Sequence, residues 1–304
     1  MKINKKILVT GGSGQVGKEL QQIMPSADYI SSKDVNLLNN TAVEVFMKKN
    51  RYDIVVHLAA KVGGIFDNIN KPSDYIEENL IINSNILRWS RLTNVTRFIG
   101  VLSTCVYPDA CDTYPMSESQ LHNGPPTPTN FSYGYAKRCM AVQIDAMNKQ
   151  YGTEYQYLTP CNLYGNFDKF NHASHFVADL IRKIHESKVR GEKLIQLHGT
   201  GTPLRQFMNA EDFVNIIYKT LDNNITESFN VSADKNLSIH EIATIALDSL
   251  GCGDFKIMYD SSKPDGQYRK DVCTKKFKKL FKDYKFIDLK TGIKKCYEKN
   301  FIGK

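Results

Sequence analysis

Residues 7–17 read ILVTGGSGQVG, a β-branched run that ends in a glycine-rich turn and opens into a helical pattern, with glycines at 11, 14 and 17. Strand, tight turn and helix in that order commit a chain to βαβ units, and so to a parallel sheet with helices on its faces. The rest of the first half repeats the pattern. Strands are expected over Lys6–Thr10, Tyr29–Ser32, Asp53–Leu58, Arg97–Ser103 and Tyr155–Leu158, and helices over Gln15–Met24, Thr41–Lys49, Ser73–Leu92 and Tyr133–Gln150.

The fold class this implies is α/β, a Rossmann-type doubly wound parallel sheet. From Gly165 onward the pattern loosens through NFDKFNHASH and a turn-rich LHGTGTPLRQF. We therefore expect a first domain over 1–165 and a smaller α/β substrate-binding lobe over 166–304, with segments near 206–232 returning to the first domain. No proline-rich linker parts the two, so they should meet across a cleft.

A chain of 304 residues with 41% hydrophobic and 24% charged side chains can bury a core without disulfide or metal staples. Its seven cysteines are scattered and include no C-x-x-C pair, which points to reduced thiols and argues against a zinc site. No apolar run nears the roughly 18 residues that a membrane helix needs, so a cytoplasmic protein is expected, with no membrane partner. Residues 254–304 hold 15 Lys/Arg against 7 Asp/Glu, which accounts for the whole net charge of +8. A lysine-rich helix with a solvated face explains that excess without a nucleic-acid partner.

The opening turn suits a dinucleotide. Orphan amides and the helix dipole at the start of the first helix attract a pyrophosphate, and the glycines let it approach the backbone. The residues expected to bind it are Gly11, Gly14, Gln15, Val16 and Gly17. After the second strand, where an acidic residue would grip the ribose 2′-hydroxyl of NAD, the chain reads Ser31-Ser32-Lys33-Asp34. Ser32 and Lys33 suit a 2′-phosphate better, so NADP(H) is the expected cofactor, with Asp34 one step further keeping NAD in view.

Tyr133 and Lys137 lie four apart in YGYAK, on one face of a helix. A neighbouring ammonium is expected to pull the phenol's pKa down from about 10 toward the working range, and Lys137 is also counted with the coenzyme site. Tyr133 would then hand a proton to a carbonyl oxygen as hydride reaches its carbon. Ser103, at the end of the fourth strand, adds a hydroxyl to orient the same carbonyl. Cys105 on these grounds alone is most simply core filling, and His175 a solvated loop residue.

Gly-rich turn, Ser103 and Tyr-x-x-x-Lys together resemble the short-chain dehydrogenase/reductase superfamily, extended type. The segments HLAAKVGGIFDN (57–68), LSTCVYP (102–108), HNGPPTPTNFSYGYAK (122–137), PCNLYGNFDKFNHASH (160–175), GTGTPLRQF (199–207) and SKPDGQYRK (262–270) resemble, more narrowly, the GDP-L-fucose synthase family. The resemblance spans nearly the whole chain. It implies inversion of C3 and C5 of a GDP-linked 4-keto sugar by acid–base groups, then reduction of C4 by NADPH, in a homodimer formed through the two long helices. By the same resemblance Cys105 and His175 move the protons on carbon, His172 falling outside the matched position. Asn162, Arg205, Lys263 and Asp265 would bind the nucleotide sugar. Where the family carries a tryptophan before GTGTP, this chain has Leu197 and His198.

Three other readings compete. A pure C4 reductase of a related GDP-4-keto sugar, a heptose included, would keep Cys105 and His175 without epimerising. A 4,6-dehydratase or 4-epimerase would return the hydride to its substrate. A catalytically silent redox sensor would have no use for Ser103, Tyr133 and Lys137 together.

Overall fold

The computed structural model describes residues 5–171 and 174–302. Along the first half, β1 (Ile7–Thr10), α1 (Gln15–Ile23), β2 (Asp28–Ile30), α2 (Asn40–Asn50), β3 (Ile54–His57), α3 (Ile65–Asn70), α4 (Pro72–Leu92), β4 (Arg97–Val101), α5 (Phe131–Tyr151) and β5 (Glu154–Pro160) follow one another. The expected strands and helices are there, with ends moved by a residue or two. In the long stretch between β4 and α5 lie short 3-10 turns at 104–106, 118–120 and 128–130.

The second half runs β6 (Asn162–Tyr164), α6 (Phe176–Arg190), β7 (Leu194–His198), β8 (Leu204–Arg205), β9 (Phe207–Asn209), α7 (Ala210–Asp222), β10 (Phe229–Val231), β11 (Leu237–Ser238), α8 (Ile239–Ser249), β12 (Lys256–Asp260), α9 (Lys275–Leu280) and α10 (Leu289–Phe301). The central sheet has six parallel strands in the order β10-β5-β4-β3-β1-β2. Short pairs β7–β12, β8–β11 and β6–β9 complete the β structure.

Alternation along each strand supplies both faces of the sheet with apolar residues. Leu8, Val55, Phe98 and Tyr155 meet Val43, Met47, Ile86, Leu87 and Ile144 from α2, α4 and α5. On the opposite face Ile7, Val9, Val56 and Ile99 meet Leu20 of α1 and Phe213, Ile216 and Ile217 of α7. Each such side chain, fully buried, contributes about 1.5–3 kcal/mol. Residues 210–231 thus cover and extend the first-half sheet, and so does the end of the basic stretch. Phe277 and Phe281 enter the same cluster, with Tyr284 and Phe286 against it, while Lys278 reaches an exposed ion pair with Asp234. The lysines of KKFKKLFKDYKF ride on an aromatic face that is turned inward.

The remaining second-half elements form their own core from Leu180, Ile181 and Ile184 of α6, Ile195 and Leu197 of β7, Ile242, Ala246 and Leu247 of α8, and Ile293 and Cys296 of α10. Two contacts fasten α3 to this lobe: Phe66 sets its ring edge-on to His198 at 6.2 Å, and Ile65 lies beside Gly266. Among the described residues no helix is long and apolar enough to cross a membrane.

Candidate active site

At the carboxyl end of β1 the chain must reverse within a few residues, and Gly11 does this at a φ of +74°, with the backbone of Ala59 2.8 Å from where a side chain would begin. Only glycine meets both demands. Gly14 then caps α1 without a side chain, and the first turn of that helix carries no acidic residue. Its amides are left for an anion. After β2, the Asp34 carboxylate accepts from the Ser31 amide at 2.8 Å and its hydroxyl at 2.7 Å, so it closes its own turn. Those bonds hold the Asp34 carboxyl below the usual range. Ser32 and Lys33 are exposed beside it.

Behind this turn runs a buried polar chain that the sequence did not disclose. Thr10 Oγ1 bonds His57 Nδ1 at 2.7 Å, and His57 Nε2 bonds Asn83 Oδ1 of α4 at 3.0 Å. Burial first, then the nearby Lys137 ammonium, pushes His57 down to about 3, so it stays neutral.

Ser103 and Cys105 follow β4, where the 104–106 turn breaks the strand; the Ser103 hydroxyl accepts from the Cys105 amide at 3.3 Å. Helix α5 lies directly on that turn because residue 134 is glycine: a Cβ there would sit 2.5 Å from the Cys105 carbonyl oxygen and 2.8 Å from the Pro126 ring. Tyr133 is thereby set beside Cys105. Its ring meets that of the buried Tyr75 edge-on at 6.3 Å, and its hydroxyl makes no hydrogen bond among the described residues.

One expectation needs correcting. Lys137 does not bring the phenol's pKa down. Its ammonium, 2% exposed, donates instead to the Val101 carbonyl at 2.9 Å, and burial pushes it down to about 8. Burial drives Tyr133 up from its ordinary value, and charge on Cys105 and Tyr75 would push the same way. The outcome is a protonated phenol, the form that a proton donor needs.

The half-buried Cys105 thiol moves the other way. Burial opposes its ionisation, but the ammonium of Lys270 beside it, with help from Ser103 and Arg205, brings it below the ordinary thiol value. Lys270 Nζ donates to Cys105 Sγ at 2.9 Å and is itself buried. The residue stands at the end of SKPDGQYRK, yet spacing gave no hint of its partner, 165 positions away.

The other expected residues spread more widely. His175 is exposed where α6 begins, and among the described residues it reaches none of Ser103, Cys105 and Tyr133 by hydrogen bond; its charge acts on Asp168, whose carboxyl burial pushes up. His172 lies outside the described residues. Arg205, its fork held by the carbonyls of Leu204, Tyr268 and Asp265, is close enough to feel the charge of Cys105. Asp265 fastens the 199–202 loop, accepting from the Thr200 amide at 2.7 Å and its hydroxyl at 2.8 Å. Asn162 donates to the Gln206 carbonyl at 3.0 Å, and Lys263 is exposed. Leu197 is core, and His198 faces Phe66.

The NAD dependent epimerase/dehydratase family model matches residues 7–232. A probable GDP-L-fucose synthase of Drosophila melanogaster is 35% identical, over 98% of each chain. The crystal structure of a GDP-L-fucose synthetase from Naegleria fowleri bound to NADP superposes with a TM-score of 0.87 at 29% identity, over 98% of this chain and 94% of that one. A GDP-mannoheptose C4 reductase from Campylobacter jejuni with NADP bound gives 0.85 at 26% identity, over 98% and 99%. By its matched family model, its near full-length relatives and its six-stranded parallel sheet, the chain belongs to the NAD dependent epimerase/dehydratase family and, within it, groups with the GDP-L-fucose synthases.

Proposed function

We propose that this chain reduces the C4 keto group of a GDP-linked 4-keto sugar with NADPH and inverts C3 and C5 of the same sugar beforehand. The observation that carries the reading is the seating of α5 on the 104–106 turn, which brings a protonated Tyr133 beside the Cys105 thiol, whose pKa is lowered. The first lobe fits the coenzyme: the Gly11 turn leaves backbone space for a pyrophosphate, α1 presents uncapped amides, and Lys33 stands free of ion pairs among the described residues. When bound, NADPH supplies the hydride.

Ser103 and Tyr133 hold the ketone oxygen, and Tyr133 gives it a proton as C4 becomes an alcohol. The same two donors stabilise the enolate formed when a proton leaves C3 or C5. Cys105 takes that proton and His175 returns one to the opposite face. Arg205 suits the diphosphate. Lys137 keeps a positive charge behind the Tyr133 helix turn.

A second reading, reduction of C4 alone, is favoured by the exposure of His175, which among the described residues has no hydrogen bond to Ser103, Cys105 or Tyr133, and by likeness to the Campylobacter C4 reductase. The test is a panel of GDP-4-keto hexoses and heptoses offered with NADPH in deuterium oxide, with products identified by NMR. Deuterium at C3 and C5 supports the first reading; reduction without it supports the second, and no oxidation of NADPH with any of them defeats both.

We further propose a homodimer across the outer faces of α4 and α5, where Ile81 and Val142 are exposed, and a cytoplasmic setting, in keeping with seven free thiols.

A further inference from the structure

We propose that Lys270 is a positioning residue for proton transfer on carbon: its buried ammonium, bonded to the sulfur of Cys105, holds that side chain as the thiolate that acts as base. The purpose rests on the epimerising reading above; the ion pair rests on geometry alone.

Lys270 is 8% exposed, and among the described residues no carboxylate pairs with it. The carboxylate of the next residue is taken: Arg269 binds Asp271 through two nitrogens, at 2.6 and 3.0 Å. Lys270 turns the other way along the strand-like segment and meets Cys105 Sγ at 2.9 Å. A buried cation without an anion is costly, and the one acidic proton beside this ammonium is that of the thiol. Transferring it into solvent converts an unpaired charge into a pair.

Three further groups act on the sulfur. Arg205, from β8, adds a second positive charge; Ser103, from the end of β4, offers a hydroxyl; Tyr133, from α5, is neutral and sets a limit, since a negative sulfur keeps its phenol protonated. Burial alone works against the thiolate. The same pair therefore readies both groups: a charged base for carbon and a protonated acid for oxygen. In the step itself the thiolate takes the proton from carbon, an S–H bond forms as the C–H bond breaks, and the electron pair moves into the enolate. His175 then delivers a proton to the other face of that carbon, and the thiol returns its own to solvent.

The test compares the full-length chain with Lys270→Met and Lys270→Arg, each also prepared with Cys105→Ser so that the other six thiols can be subtracted. Ultraviolet absorbance of the thiolate is followed against pH, alongside the rate at which iodoacetamide labels the Cys105 peptide. Lys270→Met should raise the midpoint by about one unit or more and slow labelling at neutral pH about tenfold. Lys270→Arg should restore most of both, which a merely structural role would not predict. An unchanged midpoint in Lys270→Met overturns the proposal. A low midpoint in the parent chain with no deuterium entering C3 or C5 leaves the ion pair standing and removes its role as base, so the two failures are told apart.

Discussion

Replacing Gly134 by alanine asks whether the seating of α5 sets the chemistry. In an isolated helix the change would be welcome, because alanine is favoured over glycine by about 1 kcal/mol. Here the new methyl would stand 2.5 Å from the Cys105 carbonyl oxygen and 2.8 Å from Pro126 Cβ, against 3.4 Å for ordinary contact. Neither neighbour is a flexible side-chain end. Helix and turn must part by the difference between 3.4 and 2.5 Å, about 0.9 Å, if the crowding is fully relieved. Overpacking of this kind costs about 1–3 kcal/mol, which the helix preference offsets in part. The larger effect falls on rate, because a shift of about 1 Å between acid and carbonyl costs about a hundredfold. The assay is NADPH consumption with a GDP-4-keto sugar, with coenzyme affinity as control, since the Gly11 turn lies on another strand. A Gly134→Ala chain with unchanged kcat and unfolding midpoint would refute the argument that this contact places Tyr133.

Three further outcomes are expected. Tyr133→Phe should keep coenzyme binding and lose reduction by about 10²–10⁴-fold; undiminished turnover contradicts the proton donor. Lys137 is released from its proton near pH 8 when folded but near 10.5 when unfolded, so the unfolded chain binds the extra proton between those values and stability rises with pH across them. The rise attributable to Lys137 is about 3 kcal/mol. Urea unfolding of Lys137→Met at a series of pH values should lack it, and an identical rise in both chains would sink the assignment. Asp265→Ala removes both anchors of the Thr200 loop and should raise KM for the nucleotide sugar while leaving coenzyme affinity alone; unchanged KM means that the loop does not shape that site.

Much of the architecture was legible from the order of residues, because the forces behind it act over short stretches. Short β-branched runs gave β1, β3, β4 and β5, helical spacing gave α1, α2, α4 and α5, and a reversal that only glycine can make marked the pyrophosphate turn at Gly11. The elements that carry Tyr133 and Ser103, helix α5 and the end of β4, were also within reach, since both are predictable from local pattern. Charge states were not. Whether Lys137 lowers the phenol depends on where its ammonium finds an acceptor, and the backbone carbonyl of Val101 is supplied by a strand that the helix happens to cover. Desolvation, which raises Tyr133 and lowers Lys137, is a property of everything packed around a group and has no signature in its immediate neighbours along the chain. Cys105 meets Lys270 across 165 positions for the same reason: local sequence sets which way a backbone turns, but solvent exclusion and long-range contact set which of its polar atoms carry charge.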